Sequence, residues 1–241
     1  MTINKISIIT ICLNSAQTIR ETIESVIIQL ASDDEYIIID GGSTDGTLEI
    51  ISEYSSSIYK IISEPDSGIA DAFNKGISLT NGGLIGIINS DDQLVSGTLS
   101  ALRAIPDELN SEIAFYGQTF FKHNNELSKM EIRRMPDCYS LSFSHCSLFV
   151  PASCYEKYGL FSPKFKIAMD VELILRLKSS GVKFKYIPDL KCLKGMGGVS
   201  QVNKMPAFYE YYHAASMHLS KSCAFLCLIV KILWFWIRPS R

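Results

Sequence analysis

Apolar residues in the first half of the chain come in short continuous runs separated by stretches with helical spacing. ISIITICL (Ile6–Leu13), EYIIID (Glu35–Asp40), YKIISE (Tyr59–Glu64) and LIGIIN (Leu84–Asn89) are four such runs, rich in β-branched residues. Between them Ile19, Ile23, Val26, Ile27 and Leu30 fall on one helical face, as do Leu48, Ile51 and Tyr54, and then Ile69, Phe73 and Ile77. Strands that are apolar throughout are covered on both faces, so the alternation predicts a parallel sheet with helices on both sides. Thr18 followed by Glu21 predicts a capping box at the start of the first helix.

The second half is less regular. Ile113–Phe121 and a stretch beyond it read as strands, HCSLFV (His145–Val150) as another, and Asp170–Leu177 as a helix. Val182–Ile187 closes the pattern ahead of the glycine-rich KGMGGVS. Without a repeat, low-complexity tract or flexible linker, residues 1–204 read as one domain and 205–241 as a helical tail.

The tail differs in chemistry. After Glu210 no acidic residue occurs, while Lys221, Lys231, Arg238 and Arg241 do. CAFLCLIVKILWFWI (Cys223–Ile237) is too short, and too interrupted by Lys231, for a bilayer span needing ~20 apolar residues. Two readings stay open: a basic helix lying on a membrane surface through Trp234, Phe235 and Trp236, or a core helix folded back onto the domain.

Composition narrows the class. With 241 residues, 47% hydrophobic, the chain can bury a sizeable core. A formal net charge of -2 gives no support for nucleic-acid binding. The seven cysteines have no paired CxxC spacing and read as reduced thiols of a cytosolic protein. MTINKISIITICLN lacks the features of a secretory signal and reads as the first strand.

Ligands of open α/β sheets bind beyond the carboxyl ends of the strands, and those ends carry the polar residues here. The first ends near Thr10, Cys12 and Asn14, and the second in Asp40-Gly41-Gly42-Ser43. The third leads into Asp66, Gly68, Asp71 and Asn74, and the fourth ends in Asn89-Ser90-Asp91-Asp92. Adjacent carboxylates after a buried strand repel unless a cation relieves them. Hard oxygen donors in this number suit Mg²⁺ or Mn²⁺ held together with substrate phosphates; the plainer alternative is a solvated turn capping the next helix. No GxxxxGK[ST] loop, dinucleotide GxGxxG or GxSxG elbow is present. The four histidines, His123, His145, His213 and His218, lack zinc spacing.

SIITICLNSAQTIRETIESVIIQ, YIIIDGGSTDGT, ISEPDSGIADAFNKGI, GIINSDD and FKIAMDVELILRL occur in that order. Together they resemble the family-2 glycosyltransferases, in particular the bacterial branch that builds colanic acid, O-antigen and other surface polysaccharides. The resemblance covers roughly residues 5 to 200. It implies a GT-A type fold, Rossmann-like and mostly parallel, with a nucleotide-sugar half over 1–95 and an acceptor half over 96–204. It also implies inverting, Mn²⁺- or Mg²⁺-dependent transfer of a hexose from a nucleotide diphosphate sugar, UDP-glucose or UDP-galactose first. The implied acceptor is a lipid-linked saccharide of the undecaprenyl diphosphate type, met at the inner face of the cytoplasmic membrane.

Residue by residue, the resemblance makes Thr10, Cys12 and Asn14 the lining of the nucleotide pocket and Asp40 the acceptor for the base. Gly68, Asp71, Asn74 and Lys75 would close over the ribose and diphosphate, with Asn89 and Ser90 alongside. Asp91 and Asp92 match the metal motif, Asp92 as the direct ligand, and Asp170 matches the catalytic base. Met169 stands where many relatives carry Glu, which removes one supporting carboxylate. His145 matches an acceptor-side position, although Cys146 replaces the Gln that often follows, and a core histidine is the alternative. Met196–Ser200 matches the loop over the diphosphate, where Lys194 either supplies charge or is simply solvated. Two other classes remain to be separated from a transferase. A nucleotidyltransferase should show a glycine-rich basic loop near the N-terminus, which ITICLNSAQT lacks. A non-catalytic binder would not need Asp170.

Overall fold

The computed structural model describes residues 5–81, 83–105, 112–123, 126–129, 143–195 and 203–237. In chain order these form β1 (Ile6–Cys12), α1 (Ile19–Ile27), β2 (Glu35–Asp40), α2 (Thr47–Glu53), β3 (Lys60–Ser63), α3 (Ile69–Ser78), β4 (Leu84–Ile87) and β5 (Gln93–Leu94). There follow α4 (Thr98–Arg103), β6 (Ile113–His123), β7 (Glu126–Lys129), β8 (Leu148–Pro151), α5 (Ala152–Tyr158), α6 (Met169–Ser179), β9 (Lys183–Lys194), α7 (Lys204–His218) and α8 (Lys221–Ile237).

The strands make one sheet in the order β3-β2-β1-β4-β8-β6-β9-β5, with β7 added beside β6. β1, β2, β3 and β4 pair in parallel throughout, the half that the hydrophobic runs predicted. Antiparallel pairs enter with β8 against β4 and β6, and with β5 against β9. The whole is an open, curled, mostly parallel GT-A type sheet.

Alternate residues of a strand point to opposite faces, and each face has its own core. Ile9, Ile37, Ile39 and Ile85 pack with Phe73 and Ile77 of α3 and with Leu173, Ile174 and Leu177 of α6. Ile6, Ile8, Tyr36 and Ile38 pack on the other face with Ile19, Ile23 and Val26 of α1 and with Leu99 and Leu102 of α4. The expected capping box does not form. Thr18 makes no side-chain cap; its hydroxyl turns back to the Ser15 carbonyl at 3.5 Å, and Gln93 Nε2 occupies Glu21 at 2.6 Å. The open helix end is met instead by the Ser15 carbonyl, which accepts the Thr18 and Ile19 N–H groups.

Two elements depart from their sequence boundaries in ways that shape the site. The expected strand at His145 begins only at Leu148, because Ser147 folds back on the Ser144 carbonyl through its N–H (3.1 Å) and hydroxyl (3.0 Å). That tight turn takes His145 out of the pleat. β9 runs to Lys194 instead of stopping near Ile187, and its register against β6 shifts between Tyr116 and Gln118. Pro188 sits in the irregular stretch, where it need not donate to the ladder. Gly117 lies opposite, where a Cβ would come within 1.9 Å of the Leu190 carbonyl oxygen.

The C-terminal helices form a hairpin, with α7 packed on α6. Ala214, Ala215 and Ala224 are buried in the core, and Cys227 packs against it. Phe225, Leu226, Ile229 and Leu233 of α8 stay between 37% and 62% exposed. One edge of α8 therefore folds back onto the domain, as one of the two readings expected, while the other presents an apolar face. Among the described residues no helix is long and apolar enough to cross a membrane. Cys12, Cys146 and Cys192 are buried free thiols.

Candidate active site

A cleft of about 460 Å³ opens at the carboxyl ends of β1 and β4. From the expected set it gathers Cys12, Gly68, Asn89, Ser90, Asp91, Asp92, His145, Asp170 and Lys194 along its walls. Six separate parts of the chain meet there: the end of β1, the loop into α3, the loop after β4, the turn before β8, the start of α6 and the end of β9.

The loop after β4 is pinned from α1. Thr22, a buried residue inside that helix, donates its hydroxyl to the Asp92 carbonyl at 2.7 Å, and Ser25 Oγ accepts the Leu94 N–H at 3.1 Å. Ser15 and Ser90 share a hydroxyl contact of 2.8 Å. The end of β9 lies directly on the acidic pair: Gly195 N–H donates to Asp92 Oδ1 at 3.0 Å, and a Cβ at Gly195 would fall 2.4 Å from Asp91 Oδ2. Only a glycine lets the chain approach so closely.

Asp92 is 1% exposed, and burial pushes its carboxyl above the ordinary range. The charge of His145 opposes that shift and that of Asp91 adds to it. Asp92 Oδ2 and Asn89 Oδ1 are buried and accept no hydrogen bond among the described residues. An orphaned buried carboxylate oxygen is costly unless a ligand meets it. Among the described residues no group of three or more His, Cys, Asp or Glu side chains converges on one point. The donor set is thus a small number of hard oxygens, which fits Mg²⁺ or Mn²⁺ completed by phosphate oxygens and water.

Asp170 stands across the cleft in the first turn of α6, its side chain 24% exposed. Burial alone would raise its carboxyl. The His145 imidazole, the charge of Lys194 and the Val171 N–H at 2.8 Å outweigh that, so the group sits below its ordinary range. His145 Nδ1 is 3.7 Å from Asp170 Oδ2 and its Nε2 is 3.9 Å from Asp92 Oδ2. Lys194 Nζ donates to Ser144 Oγ at 3.0 Å, which aims it along the same wall.

Other expected residues lie outside the cleft lining. Asp40 is fully buried below it and accepts from the Gly42 N–H (3.1 Å), the Ser43 N–H (3.0 Å), the Ser63 hydroxyl (2.7 Å), the Ser43 hydroxyl and, weakly, the Cys12 thiol. Burial raises Asp40 and these donors lower it, with the net effect downward. Thr10 is buried within β1, its hydroxyl accepting from Tyr36 at 3.1 Å. Asn14, at φ 50°, stitches two loops together by accepting the Thr44 N–H at 3.0 Å. Asp71 accepts the Ser67 N–H, and Lys75 pairs with Glu64 at 2.8 Å. The Asn74 amide is committed to both backbone groups of Phe161, each at 2.9 Å. Met196–Ser200 lies outside the described residues.

The cleft also recruits Ser15 and Lys166, which periodicity and spacing did not single out, and Phe73, expected only on the inward face of its helix. Asp66, expected among the polar residues beyond the third strand, also lines the cleft, and its carboxylate holds the Gly68 N–H at 2.8 Å. For Lys166 no local signal exists.

Fold and site together define a glycosyltransferase of the GT-A type. The family model described as Glycosyl transferase family 2 matches residues 7–168, and the chain belongs to that family. It is 25% identical over 185 residues to the PGL/p-HBAD biosynthesis glycosyltransferase of Mycobacterium bovis, spanning 72% of this chain and 70% of that relative. Over 111 residues it is 35% identical to the cholesterol galactosyltransferase of Borreliella burgdorferi, which covers 45% of this chain and 31% of the other. S. aureus TarS in complex with UDP shares the fold at a TM-score of 0.71 and 17% identity, over 98% of this chain and 72% of that one. The mannosyltransferase PcManGT from Pyrobaculum calidifontis, in complex with GDP-Man and Mn²⁺, does so at 0.64 and 17%, over 98% and 76%.

Proposed function

We propose that this glycosyltransferase moves a hexose from a nucleotide diphosphate sugar, UDP-glucose or UDP-galactose first, with inversion. The acceptor is a saccharide on an undecaprenyl diphosphate type lipid, in O-antigen, capsule or exopolysaccharide assembly. Residues 1–95 hold the donor, 96–204 the acceptor, and 205–241 contact the inner face of the cytoplasmic membrane. The observation that carries this reading is one cleft with the orphaned Asp92 Oδ2 on one wall and Asp170 on the other. The UDP held by a fold relative supports the choice of donor nucleotide.

Asp92, with Asp91 and Asn89 beside it, would hold Mn²⁺ or Mg²⁺; the Mn²⁺ in a fold relative supports that choice. When bound, the cation supplies Lewis-acid stabilisation of the leaving diphosphate. Lys194 adds a fixed positive charge on the same side. Asp170, ionised at neutral pH, takes the proton of the acceptor hydroxyl as that oxygen attacks the anomeric carbon from the opposite face. Direct displacement needs no protein nucleophile. The apolar outer face of α8, on a segment whose only charges are basic, suits an anionic lipid surface.

The deciding experiment is Asp170→Asn. It should bind UDP with Mn²⁺ in calorimetry as the parent does, and lose about 10²–10⁴-fold in sugar transfer. Near-normal turnover would remove Asp170 from the reaction.

A further inference from the structure

Asp170 is delivered into the cleft by a loop, and what holds that loop comes from outside it. Lys166, Ile167 and Met169 line the cleft and run straight into α6. Glu210, on α7, closes on this loop. Its Oε2 accepts the N–H groups of Lys166 at 3.1 Å, Ile167 at 2.8 Å and Ala168 at 2.9 Å, and Oε1 also takes the Lys166 N–H at 3.2 Å. Three successive amides converging on one carboxylate form an anion nest with charge-assisted hydrogen bonds. They sit at the N-terminus of α6, where negative charge is favoured. Among the described residues no cation pairs with Glu210, so its hydrogen bonds all go to the cleft wall.

The same helix grips the region at two more points. His213 meets the Phe165 ring edge-on, with centroids 5.5 Å apart, just before the loop. His218 Nε2 lies 3.1 Å from Glu172 Oε1, two residues past Asp170, and Arg176 Nε holds the same oxygen at 3.0 Å. Apolar packing through Ala214 and Ala215 would suffice to dock α7 on the domain. A carboxylate directed at the backbone of the cleft wall is a more specific device.

We infer that Glu210 is a positioning residue: it sets the Lys166–Ala168 loop, and through it the place of Asp170 and the acceptor-side wall. The inference rests on Asp170 acting as the base. It makes the C-terminal hairpin part of the catalytic apparatus as well as a surface for docking.

The test uses full-length Glu210→Ala and Glu210→Gln beside Asp170→Asn. Turnover is read as UDP released from UDP-glucose with Mn²⁺, nucleotide affinity by calorimetry, and folding by thermal melting. A misplacement near 1 Å costs about 10²-fold. Glu210→Ala should therefore lower kcat by about 10–100-fold, leaving donor KM and UDP affinity within about twofold. Glu210→Gln keeps an acceptor oxygen without the charge and should fall between Ala and parent. If Asp170→Asn is dead while both Glu210 variants keep parental kcat, Glu210 has no positioning role and the base assignment stands. Equal losses in kcat and nucleotide affinity, or a change in melting alone, would make its role purely structural. Should the Ala variant fail to fold, the near-isosteric Gln variant decides, and a parental kcat there overturns the inference. Full turnover by Asp170→Asn would remove the base and this inference together.

Discussion

His145 Nδ1 lies 3.7 Å from Asp170 Oδ2, while the far side of the same ring lies 3.9 Å from the Asp92 carboxylate. One imidazole thus stands between a carboxyl that burial raises and a carboxyl held low. It reaches that place because the chain makes a tight turn before β8 instead of continuing the strand.

This arrangement has a pH consequence. Burial tends to raise Asp170, and the imidazole is foremost among the groups that keep it low. His145→Ala removes that group, so the Asp170 pKa rises. A base works only when ionised, so activity at acid pH falls first. The acid limb of kcat/KM should move toward neutrality in the variant, while the parent stays flat to below the ordinary carboxylate range. Superimposable limbs would show that the two side chains are not coupled.

Asp40 is expected to matter for stability more than for its exposure to ligand. Five donors converge on a fully buried carboxylate. Asp40→Asn replaces one acceptor oxygen by a donor and removes the charge, at a cost of about 2–3 kcal/mol. That corresponds to roughly 5–10 °C in Tm for a chain of this size. Because the folded-state pKa is lowered, the stabilisation is present above the unfolded value and is lost as pH falls through the folded one. The gap between parent and variant should therefore be widest near neutral pH and close in acid, as chemical denaturation at several pH values would show.

The exposed face of α8 predicts membrane contact that charge substitutions weaken. Leu226→Glu with Leu233→Glu places two carboxylates on that face and leaves the buried Ala224 edge untouched. Cosedimentation with vesicles containing anionic phosphatidylglycerol should drop by about tenfold or more, given that each added charge also opposes the surface potential. UDP affinity should not change. Equal cosedimentation of parent and variant would assign this face to something other than lipid.

Much of this was legible before any coordinates. The four runs of Ile and neighbouring residues specify buried strands because only a strand covered on both faces is apolar at every position. Polar residues clustered at their ends mark one edge of the sheet. The Asp91-Asp92 pair stood out for a local reason, since two like charges after a buried strand need a partner. Asn74 carried no signal of its actual engagement, because the Phe161 backbone that holds it is far away in sequence.

By itself the sequence determined the parallel half of the sheet, the two helical faces and the family, all of which rest on periodicity or on short contiguous motifs. Tertiary structure alone decided that His145 would bridge two carboxylates, that β9 would extend past Pro188 to lay Gly195 on Asp91 and Asp92, and that Glu210 would close on the loop before α6. Each of these depends on contacts between residues twenty-five or more positions apart. Such contacts are set by how the layers pack, and no local spacing encodes them.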